Sequence, residues 1–157
     1  MIAMPRYLRQ PPRIKILEAL GALADGRVKH LNDKKAIVVS SDGTRKYTVI
    51  VDYEARRVYS DDNGTRLRGY VGYPIIALLM EKGVLPFNER FAQALKGIPW
   101  KKLNETYKKY AIVEEIVKKK AMEKGVMPSE LDQFVEKAMK ILRSLKLVYD
   151  EKLVDKY

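Results

Sequence analysis

The chain has 157 residues, with 31 lysines and arginines against 20 aspartates and glutamates, one histidine and no cysteine. This composition excludes disulfides, cysteine-ligated zinc, iron–sulfur clusters and cysteine nucleophiles. No set of catalytic residues, metal ligands or phosphate-binding glycines is present, so we expect a protein that is not an enzyme and needs no cofactor and no metal. The apolar runs are too short to span a bilayer and no signal peptide is visible, which predicts a cytoplasmic protein.

The net charge of +11 is unevenly distributed. Residues 1–97 hold 17 basic and 10 acidic residues, a net of +7, and residues 98–157 hold 14 and 10, a net of +4. Ten of the eleven arginines lie in the first part, and arginine suits two-pronged contacts with phosphate better than lysine does. We therefore predict an α+β nucleic-acid-binding domain over residues 1–97 and a helical dimerisation region over residues 98–157. The high charge and the scarcity of Asn and Gln are typical of thermophiles.

Local patterns predict helices and an antiparallel sheet in the first part. Proline-rich residues 1–12 indicate a basic arm, and the helical period of apolar residues over 13–24 indicates a helix. Short runs of β-forming residues follow at 28–31, 36–40, 46–52, 56–61 and 65–70. Two turn signals, Asp42-Gly43 and Asn63-Gly64, predict hairpins between the last four runs. The predicted fold class is α+β, with a four- to five-stranded antiparallel sheet packed with helices.

The second hairpin signal predicts a specific register. A two-residue turn at Asn63-Gly64 pairs Asp61 with Arg66, Tyr59 with Arg68 and Arg57 with Tyr70. All six side chains then share one face of the sheet, because side chains alternate along a strand. That face is continuous with the face of the neighbouring strand that carries Tyr47 only if the two strands pair in a matching register.

The rest of the chain is predicted to be helical, over residues 75–82, 89–96, 100–124 and 129–148, with the last two helices forming a hairpin. The final helix carries an apolar seam with alternating spacings of three and four: Leu131, Phe134, Ala138, Ile141, Leu145 and Val148. Such a seam serves either packing within one chain or a coiled coil between two chains. We favour the coiled coil, and with it a homo-oligomer, first of all a dimer.

Tyrosine and arginine alternate where the predicted strands lie. Five of the ten tyrosines fall between Tyr47 and Tyr73, interleaved with arginines. Aromatic rings stack on unpaired bases and guanidinium groups contact phosphates, so this stretch predicts sequence-independent binding and protection of single-stranded DNA. The predicted stacking residues are Tyr47, Tyr59, Tyr70 and Tyr73, the predicted phosphate contacts are Arg57, Arg66 and Arg68, and Arg45 and Arg56 lie nearer the rim.

Three other interpretations remain open from the residues alone. Tyrosine and arginine also form ordinary cross-strand pairs on exposed sheets. The same surface would suit RNA, because stacking does not distinguish the two sugars. A basic protein-interaction adaptor, in which the helical hairpin binds the partner, is the alternative from a different class.

Three short segments also carry a resemblance to a known family. They are VYSDDNGT at residues 58–65, GYVGYP at 69–74 and GIPW at 97–100. Through these segments, the stretch from Tyr59 to Tyr110 resembles the ThermoDBP family. The members of this family are single-stranded DNA-binding proteins of hyperthermophilic archaea that lack an OB fold. The resemblance implies a four-stranded sheet packed with helices, a hydrophobic cleft edged with basic residues, and a C-terminal coiled-coil dimer.

Overall fold

The computed structural model describes residues 4–157; residues 1–3 of the predicted arm lie outside the described part. Six strands form one sheet: β1 Arg6–Tyr7, β2 Val28–His30, β3 Lys35–Val39, β4 Lys46–Asp52, β5 Arg57–Ser60 and β6 Val148–Tyr149. The helices are α1 Ile14–Ala24, α2 Asn63–Arg66, α3 Tyr73–Glu81, α4 Glu89–Ala94, α5 Trp100–Tyr107, α6 Tyr110–Glu123, α7 Pro128–Leu145 and α8 Leu153–Lys156. The predicted α+β class is confirmed, and the sheet is larger than predicted.

The strand order is β1-β6-β5-β4-β3-β2, and every neighbouring pair is antiparallel except β5 with β6. The predicted hairpin at Asp42-Gly43 is confirmed, since it joins β3 and β4 with Val38 opposite Tyr47. Gly43 has a φ of 77°, a left-handed conformation that glycine adopts without steric cost. The buried face of the sheet carries Val38, Val49 and Val58, which pack into the main core.

The predicted hairpin at Asn63-Gly64 is wrong. Residues 63–66 form the short helix α2, and the Asp62 side chain caps it by accepting a hydrogen bond from the Thr65 amide at 3.1 Å. Gly64 is needed for packing, because a Cβ at this position would collide with the ring of Tyr70. The pairings of Asp61 with Arg66, Tyr59 with Arg68 and Arg57 with Tyr70 therefore do not exist.

The strand position beside β5 belongs to the C-terminal part of the chain. There β6 pairs in parallel with Arg57 and Val58, and β1 pairs with the outer side of β6. Tyr70 forms only an isolated bridge with Arg9. The N-terminal segment, from residue 6 onward, is thus tied into the sheet and is not a free arm.

A continuous hydrophobic core joins the two predicted regions. Helix α1 lies at its centre and contacts α3, α4 and α7, with Leu17 and Leu20 fully buried. The same core continues through Val113 and Val117 of α6 to Leu131 of α7. The predicted boundary between residues 97 and 98 therefore does not separate two cores.

The predicted helix over residues 100–124 is interrupted at Lys108. This residue adopts a left-handed conformation, with a φ of 56°, and ends α5 before α6 begins at Tyr110. No glycine or proline marks the break, so the sequence pattern did not reveal it.

The predicted dimerisation seam packs mainly inside the chain. Leu131, Phe134, Ala138 and Leu145 are buried in the core, Ile141 is partly buried against it, and Val148 belongs to β6. Val135 and Leu142 are buried as well, so α7 has the broad apolar stripe of a helix in a globular core rather than a narrow coiled-coil seam. Leu131, Phe134, Ala138 and Leu145 are therefore not free to form a dimer interface, whereas Ile141 and Val148 are only partly buried. The coiled coil itself and the oligomeric state stay predictions.

Candidate nucleic-acid interface

The tyrosines and arginines predicted to share one face lie on two sides of the sheet. Directly paired residues point to the same side, and β5 places Tyr59 opposite Ile50 and Val58 opposite Val51. Tyr47 and Val51 are four residues apart on β4, so their side chains point to the same side of the sheet. That side faces the main core and its helices. Tyr59 points the other way, so β4 and β5 do not pair in the register that would make the two faces continuous.

On the Tyr59 side of the sheet, the predicted site residues are used within the chain. The Arg57 guanidinium forms an ion pair with Asp150 at 2.8 Å, and the Tyr59 ring packs on Tyr149 with 5.8 Å between centroids. Arg56 occupies a left-handed turn, with a φ of 57°, and its side chain donates to the Leu145 carbonyl at 3.4 Å. These three residues therefore hold the C-terminal segment in place.

On the helix side, Tyr47 lies where three hollows meet, which we call together the Tyr47 cleft. The first, of about 240 Å³, is lined by residues from α1, β4, α3 and α5, including Lys15, Arg27, Arg45, Tyr73, Trp100 and Lys101. The second, of about 170 Å³, is lined among others by Lys15, Arg68, Tyr70, Tyr73 and Tyr110. The third, of about 350 Å³, is lined by Thr44, Arg45, Lys46, Asp61 and Arg66. All three include Tyr47, so aromatic rings and cations alternate around one residue.

Six of the nine predicted binding residues line this cleft: Arg45, Tyr47, Arg66, Arg68, Tyr70 and Tyr73. Tyr70, however, is only 6% exposed. Its ring lies against Gly64, and the residue lines the second hollow. Assigning a base-stacking role to Tyr70 was therefore wrong, because a base cannot reach the face of a buried ring.

Tyr47 and Tyr73 form the aromatic centre of the cleft. Their rings meet edge to face, with centroids 6.4 Å apart and planes at 89°. The Arg27 guanidinium lies 5.9 Å from the Tyr73 ring centre and is held by Asp25 at 3.1 Å. Burial raises the pKa of both phenols above the ordinary value, so both hydroxyls are neutral hydrogen-bond donors at physiological pH.

The rim of the cleft carries cations without acidic partners. Arg45, Lys46, Arg66 and Arg68 are exposed, and the ion pairs found between residues 4 and 157 do not include them, although Asp61 also lines the third hollow. The N-terminal segment adds Arg9, which donates to the Arg68 carbonyl. Arg6 donates to the Arg66 carbonyl at 3.2 Å, but its guanidinium lies 4.3 Å from the centre of the Tyr149 ring. Unpaired cations attract anions more strongly than paired ones, so this rim is suited to contact with phosphates.

Several residues of the cleft were not assigned to it from the sequence. Lys15 lies in α1, Arg27 just before β2, Lys101 in α5 and Tyr110 in α6. Trp100 is the first residue of α5, directly before Lys101 and Lys102. It is 2% exposed, so it anchors the helix in the core, and it also lines the first hollow. Only the tertiary packing brings these elements together, and no local pattern contains that information.

The described residues, 4–157, contain neither a metal-ion cluster nor a helix that could span a membrane. No group of three or more His, Asp or Glu side chains lies close enough together there to hold a metal ion. No helix in that range combines the length and the apolar character needed to cross a bilayer.

Comparisons with known proteins match the chain to one family. No curated protein and no solved structure matches it. The family model covers residues 8–148, which include strands β2 to β5, the first residue of β6 and all of the Tyr47 cleft, but not β1. The chain therefore belongs to the family described as uncharacterised conserved protein UCP014422.

Proposed function

We propose that this protein binds single-stranded nucleic acid, DNA in the first instance, in the Tyr47 cleft. The observation that carries the proposal is the convergence of three hollows on one half-buried tyrosine, with unpaired cations along the rim. Unpaired bases enter the hollows and contact the Tyr47 and Tyr73 rings, while the phosphates stay near Arg45, Arg66 and Arg68.

The energies favour single strands over duplexes. A base stacked on an aromatic side chain contributes roughly 1–3 kcal/mol, whereas an exposed ion pair contributes about 0–1 kcal/mol. A duplex keeps its base faces hidden, so it offers the cleft only its phosphates. The net charge of +11 attracts any nucleic acid, and the aromatic rings supply the preference for unpaired strands.

The resemblance to the ThermoDBP family agrees with this proposal and remains a prediction, since the family match does not address it. A homodimer also remains a prediction. Because most of the α7 seam is buried in the chain, a dimer formed by surface contact would use mainly other side chains.

The proposal is tested by fluorescence anisotropy with a labelled mixed-sequence oligonucleotide, as single strand and as duplex, between about 50 and 200 mM salt. We expect tighter binding to the single strand and a salt dependence shallower than that of the duplex, because stacking is insensitive to ions. Equal binding to both forms that disappears steeply with salt would reject the cleft and favour the adaptor. Competition with the matched RNA sequence distinguishes the two sugars.

A further inference from the structure

The N-terminal segment and the loop after α2 form a second surface beside the Tyr47 cleft. Their backbones are joined at Arg9, whose amide donates to the Gly69 carbonyl at 2.8 Å and whose carbonyl accepts from the Val71 amide at 3.1 Å. The Arg9 guanidinium also donates to the Arg68 carbonyl. These three hydrogen bonds hold the loop against the N-terminal segment.

Two side chains of the N-terminal segment point outward beside this loop. Side chains alternate along an extended segment, and Leu8 packs against the core, so its neighbours Tyr7 and Arg9 face solvent. Tyr7 is 72% exposed, and Leu67 in the adjoining loop is 70% exposed. We call the following residues together the Tyr7 patch: Tyr7, Arg9, Arg66, Leu67 and Arg68.

The Tyr7 patch is basic as well as apolar. Its three arginines are exposed, and the ion pairs found between residues 4 and 157 do not include them. Arg9 uses part of its guanidinium for the Arg68 carbonyl, but a guanidinium has five N–H groups, so others stay available to a ligand. A single exposed apolar side chain needs no explanation. An exposed aromatic ring beside unpaired cations is the combination that binds unpaired bases and their phosphates.

The patch is continuous with the Tyr47 cleft through two of its arginines. Arg68 lines the second hollow and Arg66 lines the third. The loop that carries Arg68 is bonded directly to Arg9. A strand that leaves the cleft past these arginines therefore reaches Arg9 and Tyr7 next.

We propose that the Tyr7 patch binds the nucleotides that follow those held in the Tyr47 cleft. Tyr7 stacks on a base, and Arg9 and Arg68 contact the neighbouring phosphates. This inference rests on the proposed single-strand binding and extends its footprint beyond the cleft. An acidic peptide would also match the charge of the patch, but the continuity with the cleft favours a nucleic-acid strand.

Strand length separates the patch from the cleft in an experiment. Anisotropy titrations compare the shortest labelled strand that the native chain binds, sought from about 4 nucleotides upward, with one of about 16, the limits of the site sizes known for OB folds. Tyr7→Ala should weaken binding of the longer strand about tenfold, the effect of losing one stacked base, and leave the shorter strand unchanged.

Three further variants identify the cause of that loss. Tyr7→Phe should keep the native affinity, since stacking needs the ring and not the hydroxyl group. Tyr7→Leu keeps an apolar side chain without the aromatic face and should weaken the longer strand as Tyr7→Ala does. Phe87→Ala is the matched control, because Phe87 is an exposed aromatic residue between α3 and α4 and lines a hollow that shares no residue with the cleft.

Arg9→Gln distinguishes a phosphate contact from a purely structural role. A lost contact should reduce the slope of log K against log salt by about 0.7 for the longer strand and leave the slope of the shorter strand unchanged. If Arg9 acts only by holding the loop of Arg68, the variant should weaken both strands together, and the phosphate contact of Arg9 would be overturned.

The outcomes for the patch and for the cleft are distinguishable. Equal losses for both strands in Tyr7→Ala, or no loss for either, would overturn the patch and leave the proposed function standing. Full affinity of Tyr7→Leu for the longer strand would overturn the stacking role of Tyr7. Failure of the native chain to bind either strand would overturn both the patch and the proposed function.

Discussion

Tyr47 and Tyr59 lie on neighbouring strands of the same sheet, and the surroundings of each give it a different role. Tyr47 meets hollows and unpaired arginines on the helix side, whereas Tyr59 packs on Tyr149 beside the ion pair of Arg57 and Asp150. A tyrosine–arginine pattern thus has two outcomes in one molecule. Under the proposed function, the rim cations near Tyr47 are free to meet a ligand, whereas Arg57, paired with Asp150, holds the chain's own C-terminal segment.

The largest expected effect is the loss of folding stability on removing Tyr70, which lines the second hollow of the cleft. Because its ring is buried against Gly64, Tyr70→Ala is expected to lower the free energy of unfolding by about 3–5 kcal/mol. Tyr59→Ala removes a half-buried ring and should cost about 1 kcal/mol. Urea denaturation followed by circular dichroism measures both. An unchanged midpoint for Tyr70→Ala would place that ring on the surface.

Tyr47 and Tyr59 are expected to differ most in their effect on the affinity for single-stranded nucleic acid. Tyr47→Ala should weaken single-strand binding by about 1–3 kcal/mol, roughly five- to 150-fold in Kd, because a stacking face is lost. Tyr59→Ala is the matched control, on the other side of the sheet, and should leave the affinity unchanged. Anisotropy titrations of both folded variants give the answer. A larger loss for Tyr59→Ala would move the binding surface to the opposite side.

A smaller effect is expected from the arginines of the rim. Arg66→Gln removes an unpaired cation from the cleft, whereas Arg57→Gln removes one already paired with Asp150. If Arg66 contacts a phosphate, its loss should reduce the slope of log K against log salt by about 0.7, the value for one phosphate of a single strand. Arg57→Gln should keep the native slope. Equal slopes for Arg66→Gln and the native chain would remove Arg66 from the interface.

Local signals were sufficient to predict some elements of the fold. The apolar period of α1, the Asp-Gly turn between β3 and β4, and the apolar period of α7 each lie within one element, and each element is present. The Asn63-Gly64 signal failed because a competing local signal starts a helix there, and because β6, from far along the chain, occupies the strand position beside β5. The buried Asp62 caps α2, and Thr65 donates from its hydroxyl to the same carboxylate at 2.9 Å.

The sequence was sufficient to predict which residue types form the candidate site, but not how those residues are arranged in space. The pattern of tyrosines and arginines identified Tyr47, Tyr73 and the rim arginines, which the structure brings together. It also included Tyr59 and Arg57, because their side of the sheet depends on the register of β5 with β4. The covering of that side by β6, a two-residue strand far along the chain, has no local signature.

The smallest effect is the pH dependence of the Arg57–Asp150 pair. Burial pushes the pKa of Asp150 up, but hydrogen bonds from the Arg57 guanidinium and the Lys152 amide outweigh it, so this pKa lies below the ordinary value. A lowered folded-state pKa means that the pair stabilises the fold above the ordinary carboxyl pKa of about 3.9, and that this contribution is lost as the pH falls through the lower folded-state value.

Arg57→Gln should therefore lower the free energy of unfolding by about 1 kcal/mol at neutral pH, since the guanidinium is partly exposed and its pairing is weakened by solvent. The difference between the native chain and the variant should shrink once the pH is low enough to protonate Asp150. Urea denaturation at neutral and at strongly acidic pH measures it, with Lys102→Gln, an exposed lysine without a carboxylate partner among residues 4–157, as the control for lost charge. A difference that stays constant down to the lowest pH would mean that Arg57 stabilises this side of the sheet by packing, and that its charge does not hold the C-terminal segment.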